Sequence, residues 1–313
     1  MTRKPSVAIV GAGRLAAFLS VALRRAGFTI TEIVARDAPR SRRRARALAT
    51  KVGARTVTAH SALLDATLLW FCVPDREIRR TASVLADHLA ARAVAEQKGR
   101  VLNKVPGRVP SKVPRNASGT LRFAFHSSGA LLSRELYPLR RAGVAVASVH
   151  PLMTFVAGAR PSLQGVPFAL EGDGAAMRVA RRIVREVGAE SFSLPASRKA
   201  AYHAWATLTS PLLLAFLVTL EEAARAAGLT REDARRKSLP IIKQTLANYS
   251  SLGSARSFSG PLIRGDAETV AKHLSALKKH PGAREVYVAL ARAALRGLPV
   301  KNRDGLKRLL RAL

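Results

Sequence analysis

Several side chains in this sequence are placed where chemistry can happen. His126 opens His126-Ser127-Ser128-Gly129, His150 opens His150-Pro151-Leu152, His203 follows Tyr202, and Arg264 stands two residues before Asp266. A histidine exchanges protons near neutral pH, serine hydroxyls orient a polar substrate, and an arginine clamps a carboxylate. Carbonyl or imine reduction needs such a set, together with a hydride carrier and a pocket that excludes water. Lys199 is open to two readings, a surface lysine or an active-site lysine. No G-x-S-x-G elbow accompanies the serines, which argues against a serine hydrolase. His126, His150, His203 and His273 lack an HExxH or cysteine-rich spacing, so no metal is expected.

The carrier has a candidate cradle. Ser6–Ala17 reads SVAIVGAGRLAA, a short apolar run into Gly11-Ala12-Gly13, then apolar residues at Ala16, Leu19 and Leu23 with helical spacing. A strand, a glycine turn and a helix in this order can receive a dinucleotide pyrophosphate. Gly11 permits the tight turn and Gly13 lets backbone approach phosphate, while the amides at Arg14 and Leu15 face the negative charge. Ala16 takes the place of a third glycine. The next predicted strand, Thr29–Ala35, is followed by Arg36-Asp37. An arginine at that position accommodates the extra phosphate of NADP, whereas an acid binds the free ribose of NAD; Arg36 comes first, which favours NADP, and Asp37 leaves NAD open. Asp65–Val73 is a continuous apolar run that suits an interior parallel strand. Val73, Pro74 and Ser127 then fall at strand ends over the cofactor, and Asp75 serves as a helix cap or cofactor neighbour.

These elements place the chemistry. Strands are predicted over Leu121–His126 and Val144–Val149, so that in a parallel sheet both histidines face one crevice. A further strand covers Phe168–Gly172, and a helix over Asp173–Gly188 turns Val179, Ile183 and Val187 to one face. Ala90–Thr120 reads as an irregular basic loop, because VPGRVPSKVPRN repeats a proline every fourth residue. From Pro195 onward the pattern is helical. Ser197–Ala227 is apolar nearly all round and should break at Pro211, as the core of a bundle or part of a dimer interface. SFSGPLIRGD, over Ser257–Asp266, reads as a functional loop. The expected architecture is α/β: a Rossmann-type parallel-sheet domain over residues 1–195 and an all-helical domain over 196–313.

Composition limits the alternatives. A chain of 313 residues, 48% hydrophobic and 5% aromatic, holds two domains with aliphatic cores. Its 53 basic and 20 acidic residues give a formal net charge of +33. The arginines are scattered over helices rather than interleaved with aromatics, so no specific nucleic-acid partner is expected. Cys72, the lone cysteine, sits in an apolar run and excludes an internal disulfide. The basic start runs straight into the glycine turn, and the apolar run Pro211–Val218 is short of a bilayer span; the expectation is a cytoplasmic protein without a signal peptide or membrane segment.

IVGAGRLA at 9–16, FCVPD at 71–75, HSSGAL at 126–131, SVHPLMTF at 148–155, YHAWA at 202–206 and GPLIRGD at 260–266, with Lys272-His273-Leu274 following, resemble the Rossmann-like family with a DUF2520 C-terminal domain. That family is related to NADP-dependent oxidoreductases, including pyrroline-carboxylate reductases and coenzyme F420-dependent enzymes. The resemblance covers nearly the whole chain. It implies NADP as cofactor, a small-molecule substrate, and a helical domain like that of 6-phosphogluconate dehydrogenase, which pairs two subunits and contributes to the pocket. Two departures stand out: Pro211 replaces an asparagine usual in the family, and the basic stretch over 90–120 is longer than the usual connection. A dinucleotide-binding sensor or scaffold without turnover, or a binder of polyanions, would fit the same residues.

Overall fold

The structure is a computed structural model that describes residues 4–102, 121–159 and 162–311. Its first half alternates strand and helix: β1 (Val7–Val10), α1 (Arg14–Arg25), β2 (Ile30–Ala35), α2 (Pro39–Val52), β3 (Arg55–Thr58), β4 (Leu68–Phe71) and α3 (Asp75–Leu102). After the undescribed stretch come β5 (Phe123–His126), a 3-10 turn at Ser133–Leu136, α4 (Tyr137–Arg141), β6 (Ala145–Pro151), β7 (Pro167–Gly172), α5 (Gly174–Glu186) and β8 (Glu190–Ser193). All four residues of β1 and of β4 are buried, as expected of strands covered on both faces. Helix α1 presents Ala16, Leu19, Ser20 and Leu23 inward and ends in Arg24 and Arg25, which complement its C-terminal dipole. Trp70 and Phe125 meet edge to face, their centroids 5.4 Å apart, within the apolar layer beneath α1 and α5.

The strands form one eight-stranded sheet in the order β3-β2-β1-β4-β5-β6-β7-β8. Strands β1 to β6 are parallel, so their carboxyl ends share one edge. The sequence reading of a parallel sheet is corrected beyond β6, where β7 runs antiparallel and β8 follows β7. A parallel return needs a crossover element, and the described part of 152–166 holds no helix, so the chain doubles back beside β6. One other expectation is corrected. Helix α3 continues to Leu102, although Ala90 onward read as irregular; the proline repeat that suggested a loop lies in residues 103–120, outside the described residues. Helix α5 buries Ala176, Ala180, Ile183 and Val184, and the expected Val179 and Val187 pack half-buried against the same core.

The chain divides into two compact units, Met1–Ala206 and Thr207–Leu313. Following a 3-10 turn at Ala196–Arg198, the helices are α6 (Lys199–Thr209), α7 (Pro211–Arg225), α8 (Arg231–Ser257), α9 (Pro261–Arg264), α10 (Ala267–Ala276), α11 (Pro281–Gly297) and α12 (Arg303–Arg311). The break expected at Pro211 is present: Ser210 leaves helical geometry and the proline takes the first position of α7, where its missing N–H is harmless. Gly253, with φ of 75°, interrupts α8. The core of the second unit is Val270, Leu274, Val288, Leu295, Leu306 and Leu310, drawn from α10, α11 and α12. Helix α7 buries none of its residues, and α8 buries only Ala234.

Candidate active site

The glycine turn has the geometry of an anion cradle. Gly11 adopts φ of +108°, and a Cβ there would stand 2.6 Å from the carbonyl oxygen of Cys72. Only glycine fits such a position. Gly13 is different: its missing Cβ would meet only that same oxygen, at 3.9 Å. Gly13 is the N-cap of α1, no side chain caps the helix, and the first turn holds no acidic residue. The amides that begin α1 at Arg14 and Leu15 therefore present an unneutralised positive dipole end. Val73 packs beside Gly11, and Pro74 and Ser127 continue the ends of β4 and β5. Ser127 accepts a hydrogen bond from the Trp70 indole at 2.9 Å. Arg36 is exposed at the end of β2, while Asp37 is ion-paired with Arg42 of α2. These residues fit a dinucleotide cofactor.

A row of polar side chains crosses the sheet next to this cradle. The register pairs His126 of β5 with Ser148 of β6, and Ser148 with Glu171 of β7. His126 is fully buried; its Nε2–H donates to the Leu132 carbonyl at 2.9 Å and its Nδ1 accepts from the Ser128 amide at 3.2 Å. With both nitrogens engaged, His126 closes the turn after β5, a framework task rather than the proton exchange that the sequence suggested. Ser128 is similarly committed, donating to Asp75 Oδ2 and accepting from the amides of Ala130 and Leu131. Glu171 accepts from the amide and hydroxyl of Ser133, both at 2.7 Å.

His150 lies two residues beyond Ser148 on the same face of β6. Its Nδ1 shares a 2.7 Å hydrogen bond with the hydroxyl of Tyr202, and the two rings meet edge to face. On the other side, Nε2 of His150 lies 2.8 Å and Cδ2 of His203 lies 2.7 Å from where a Cβ on Gly129 would be. Two of the sequence-predicted histidines thus converge over Gly129, the glycine of His126-Ser127-Ser128-Gly129. His203 is exposed on α6. Arg264 belongs to the second unit and is exposed at the end of α9. Asp266 caps α10 through the amide and hydroxyl of Thr269.

Lys199 is resolved in favour of the interior. It is 2% exposed, and its Nζ donates to Ser148 Oγ at 2.5 Å. Ser148 passes the bond on to the Ser128 carbonyl at 3.2 Å. Burial lowers the Lys199 ammonium to about 8, against the pull of Glu171 and Asp75. Sequence reasoning passed over Ser148 and Glu171; the signal available was a polar residue inside an apolar strand, in VASVH and in FALEG. Cys72 is inert, since burial pushes its thiol up to about 12.

Burial lowers both His126 and His150 to about 4; the Leu132 carbonyl opposes this for His126, and the Lys199 charge adds to it for both. A depressed histidine stays neutral in the folded state while the unfolded chain takes up its proton near 6.5. Stability is therefore full above pH 6.5 and declines as pH falls towards 4, by up to about 3 kcal/mol for a fully buried ring. Denaturant titrations from pH 7.5 to 4 should show this slope, and His126→Asn should remove its share while that of His150 remains.

Two family models match the chain: the Rossmann-like domain over residues 2–126 and the domain of unknown function DUF2520 over residues 166–294. No curated protein matches. Among solved structures, a protein from Thermotoga maritima is 22% identical with a TM-score of 0.65, covering 98% of each chain. An imine reductase from Myxococcus stipitatus in complex with NADP+ is 13% identical with a TM-score of 0.61, over 93% of this chain and 94% of that one. A pyrroline-5-carboxylate reductase from Coxiella burnetii is 15% identical with a TM-score of 0.55, over 98% and 99%. At these identities the likeness is one of fold. The chain is thus a Rossmann-like domain followed by a DUF2520 domain, the pairing that its motifs resemble.

Proposed function

We propose that the protein is an NADP-dependent oxidoreductase that moves a hydride between NADP(H) and a small carbonyl or imine compound. The observation that carries this reading is a single sheet edge. The uncapped start of α1, Arg36 at the end of β2 and the His150–Tyr202 pair at the end of β6 all stand at the carboxyl ends of parallel strands. That edge is where open α/β sheets bind ligands. Solved structures of this fold include an imine reductase in complex with NADP+ and a pyrroline-5-carboxylate reductase, which supports the cofactor and the substrate class.

When bound, the nicotinamide supplies or accepts the hydride. The chain's own residues do the rest. The amides of Arg14 and Leu15, reached past Gly11 and Gly13, hold the pyrophosphate, and Arg36 meets the 2′-phosphate while Arg42 keeps Asp37 occupied. Val73, Pro74 and Ser127 line the strand ends beside the cofactor. His150 is the proton-exchanging group: it is neutral at pH 7, Tyr202 fixes its ring, and Nε2 is the nitrogen left to face a substrate atom. His203 shapes the same surface.

Calorimetric titration with NADP, NADPH, NAD and NADH tests the reading. Wild type should prefer the phosphorylated forms, and Arg36→Ala should weaken NADP binding at least about tenfold, roughly 1.4 kcal/mol, while leaving NAD little changed. Binding should be followed by NADPH oxidation with one or more keto or imino acids. Tight binding without turnover would favour a sensor, and no binding of any dinucleotide would overturn the proposal.

We further propose a homodimer formed through the helical unit, which we assign to the 6-phosphogluconate dehydrogenase C-terminal type, in the cytoplasm. Its support is α7, an apolar helix with nothing buried: Leu214 is 63% and Val218 is 51% exposed. The stretch Ala196–Arg225 is apolar enough to cross a membrane by length and composition, contrary to the estimate from Pro211–Val218 alone. However, it is two helices broken at Ser210, and Lys199 at its start is tied to Ser148. A second copy of the chain suits such a surface better than a bilayer does.

A further inference from the structure

Most of the buried residues of the first unit are apolar; His126, Ser148 and Lys199 are among its few buried polar groups, and the register sets half-buried Glu171 beside Ser148. A buried ammonium is a costly feature that a leucine or methionine would avoid. Here it is held by one neutral partner, Ser148 Oγ, rather than by a carboxylate. Both nearby acids are committed to other groups, Glu171 to Ser133 and Asp75 to Ser128. Their charges reach Lys199 only through space. The arrangement therefore keeps a cation within the sheet layer without neutralising it by direct contact.

The placement of this cation matters for one neighbour above all. Ser148, which clamps Lys199, and His150 are two apart on one face of β6, and Lys199 and Tyr202 are three apart on α6, so the two pairs stand against each other. The charged and titratable groups around His150 are Lys199, Tyr202 and His203 from α6, His126 from β5, Glu171 from β7 and Asp75 from α3. Lys199 is the one full positive charge among them, and it opposes any positive charge on the ring.

We propose that Lys199 is a positioning residue of the candidate active site, whose ammonium, clamped by Ser148 beside His150, adds to burial in keeping the His150 imidazole in its neutral, Tyr202-bonded form. This deepens the oxidoreductase reading, since it assigns the charge state of the group that exchanges the proton there. A neutral imidazole bonded at Nδ1 to the Tyr202 hydroxyl leaves Nε2 to face a substrate atom. An imidazolium would donate from both nitrogens and would repel an iminium substrate.

The test is an NMR titration of the histidine Cε1–H resonances in the full chain, without ligand, with His150→Gln used to assign His150. In wild type the His150 signal should not titrate between pH 8 and 5. In Lys199→Met its midpoint should rise by about one pH unit, and in Lys199→Arg it should stay near wild type. Should Lys199→Met fail to fold, Lys199→Gln against Lys199→Arg gives the same comparison. A His150 midpoint that is unchanged when the cation is removed would overturn the inference. A lysine with a merely structural role would lower thermal stability when replaced by methionine and leave this resonance alone. The measurement needs no cofactor, so its failure leaves hydride transfer untouched, whereas a failure to bind NADP leaves the shift intact.

Discussion

Gly13→Asp is expected to abolish NADP binding while leaving the fold standing. A side chain at 13 has room, because the Cβ position meets only the Cys72 carbonyl oxygen at 3.9 Å. Gly13 is also the N-cap of α1, with extended backbone and no side-chain cap, and aspartate is among the best residues for that position. The variant should therefore melt within about 3 °C of wild type or slightly above it. Its carboxylate would occupy the positive end of α1 and repel the cofactor's phosphates, which should cost at least about a hundredfold in affinity, roughly 2.7 kcal/mol. Gly11→Ala should behave in the opposite way. Its Cβ would stand 2.6 Å from backbone oxygen at φ of +108°, and a loss of about 3 kcal/mol in unfolding free energy is expected. Calorimetric titration and thermal melts of both variants separate the two roles; retained NADP affinity in Gly13→Asp would remove the cradle from the argument.

Leu214→Asp combined with Val218→Asp should convert a dimer to a monomer. The two residues are one turn apart on the exposed face of α7, and two carboxylates cannot be buried unpaired at the centre of an interface. A stable dimer buries about 1,200–2,000 Å² in total, and an apolar helix of 15 residues is a suitable centre for it. Sedimentation velocity should give the dimer mass for wild type and the monomer mass for the double variant, with little change in the far-ultraviolet dichroism. A monomeric wild type that floats with phospholipid vesicles would assign the same face to a membrane surface instead.

The periodicity of the sequence determined most of the first unit. Alternation of short apolar runs with helical patterns required a parallel sheet, and Gly11 could be read as a turn because few backbones place a side chain there. Pro211 marked a helix break, since proline in mid-helix loses a hydrogen bond and clashes with the preceding turn. Arg36 and the two strand-end histidines were visible because strand ends in such a sheet share one edge.

What the tertiary structure decided was which polar groups are already satisfied. His126 and His150 look alike in sequence, each at the end of a strand and followed by turn residues. Packing engages both nitrogens of His126 in its own turn, whereas the partner of His150 comes from Tyr202, more than fifty residues away. Lys199 was undecided for the same reason: a lysine on an amphipathic helix is solvated or buried according to what lies opposite it, and Ser148 is a long-range partner. The reversal of β7 also escaped the sequence, because a strand's direction depends on the path of its connection and not on its own residues. Local periodicity thus set the elements and the edge, while long-range register chose the residues that can act there.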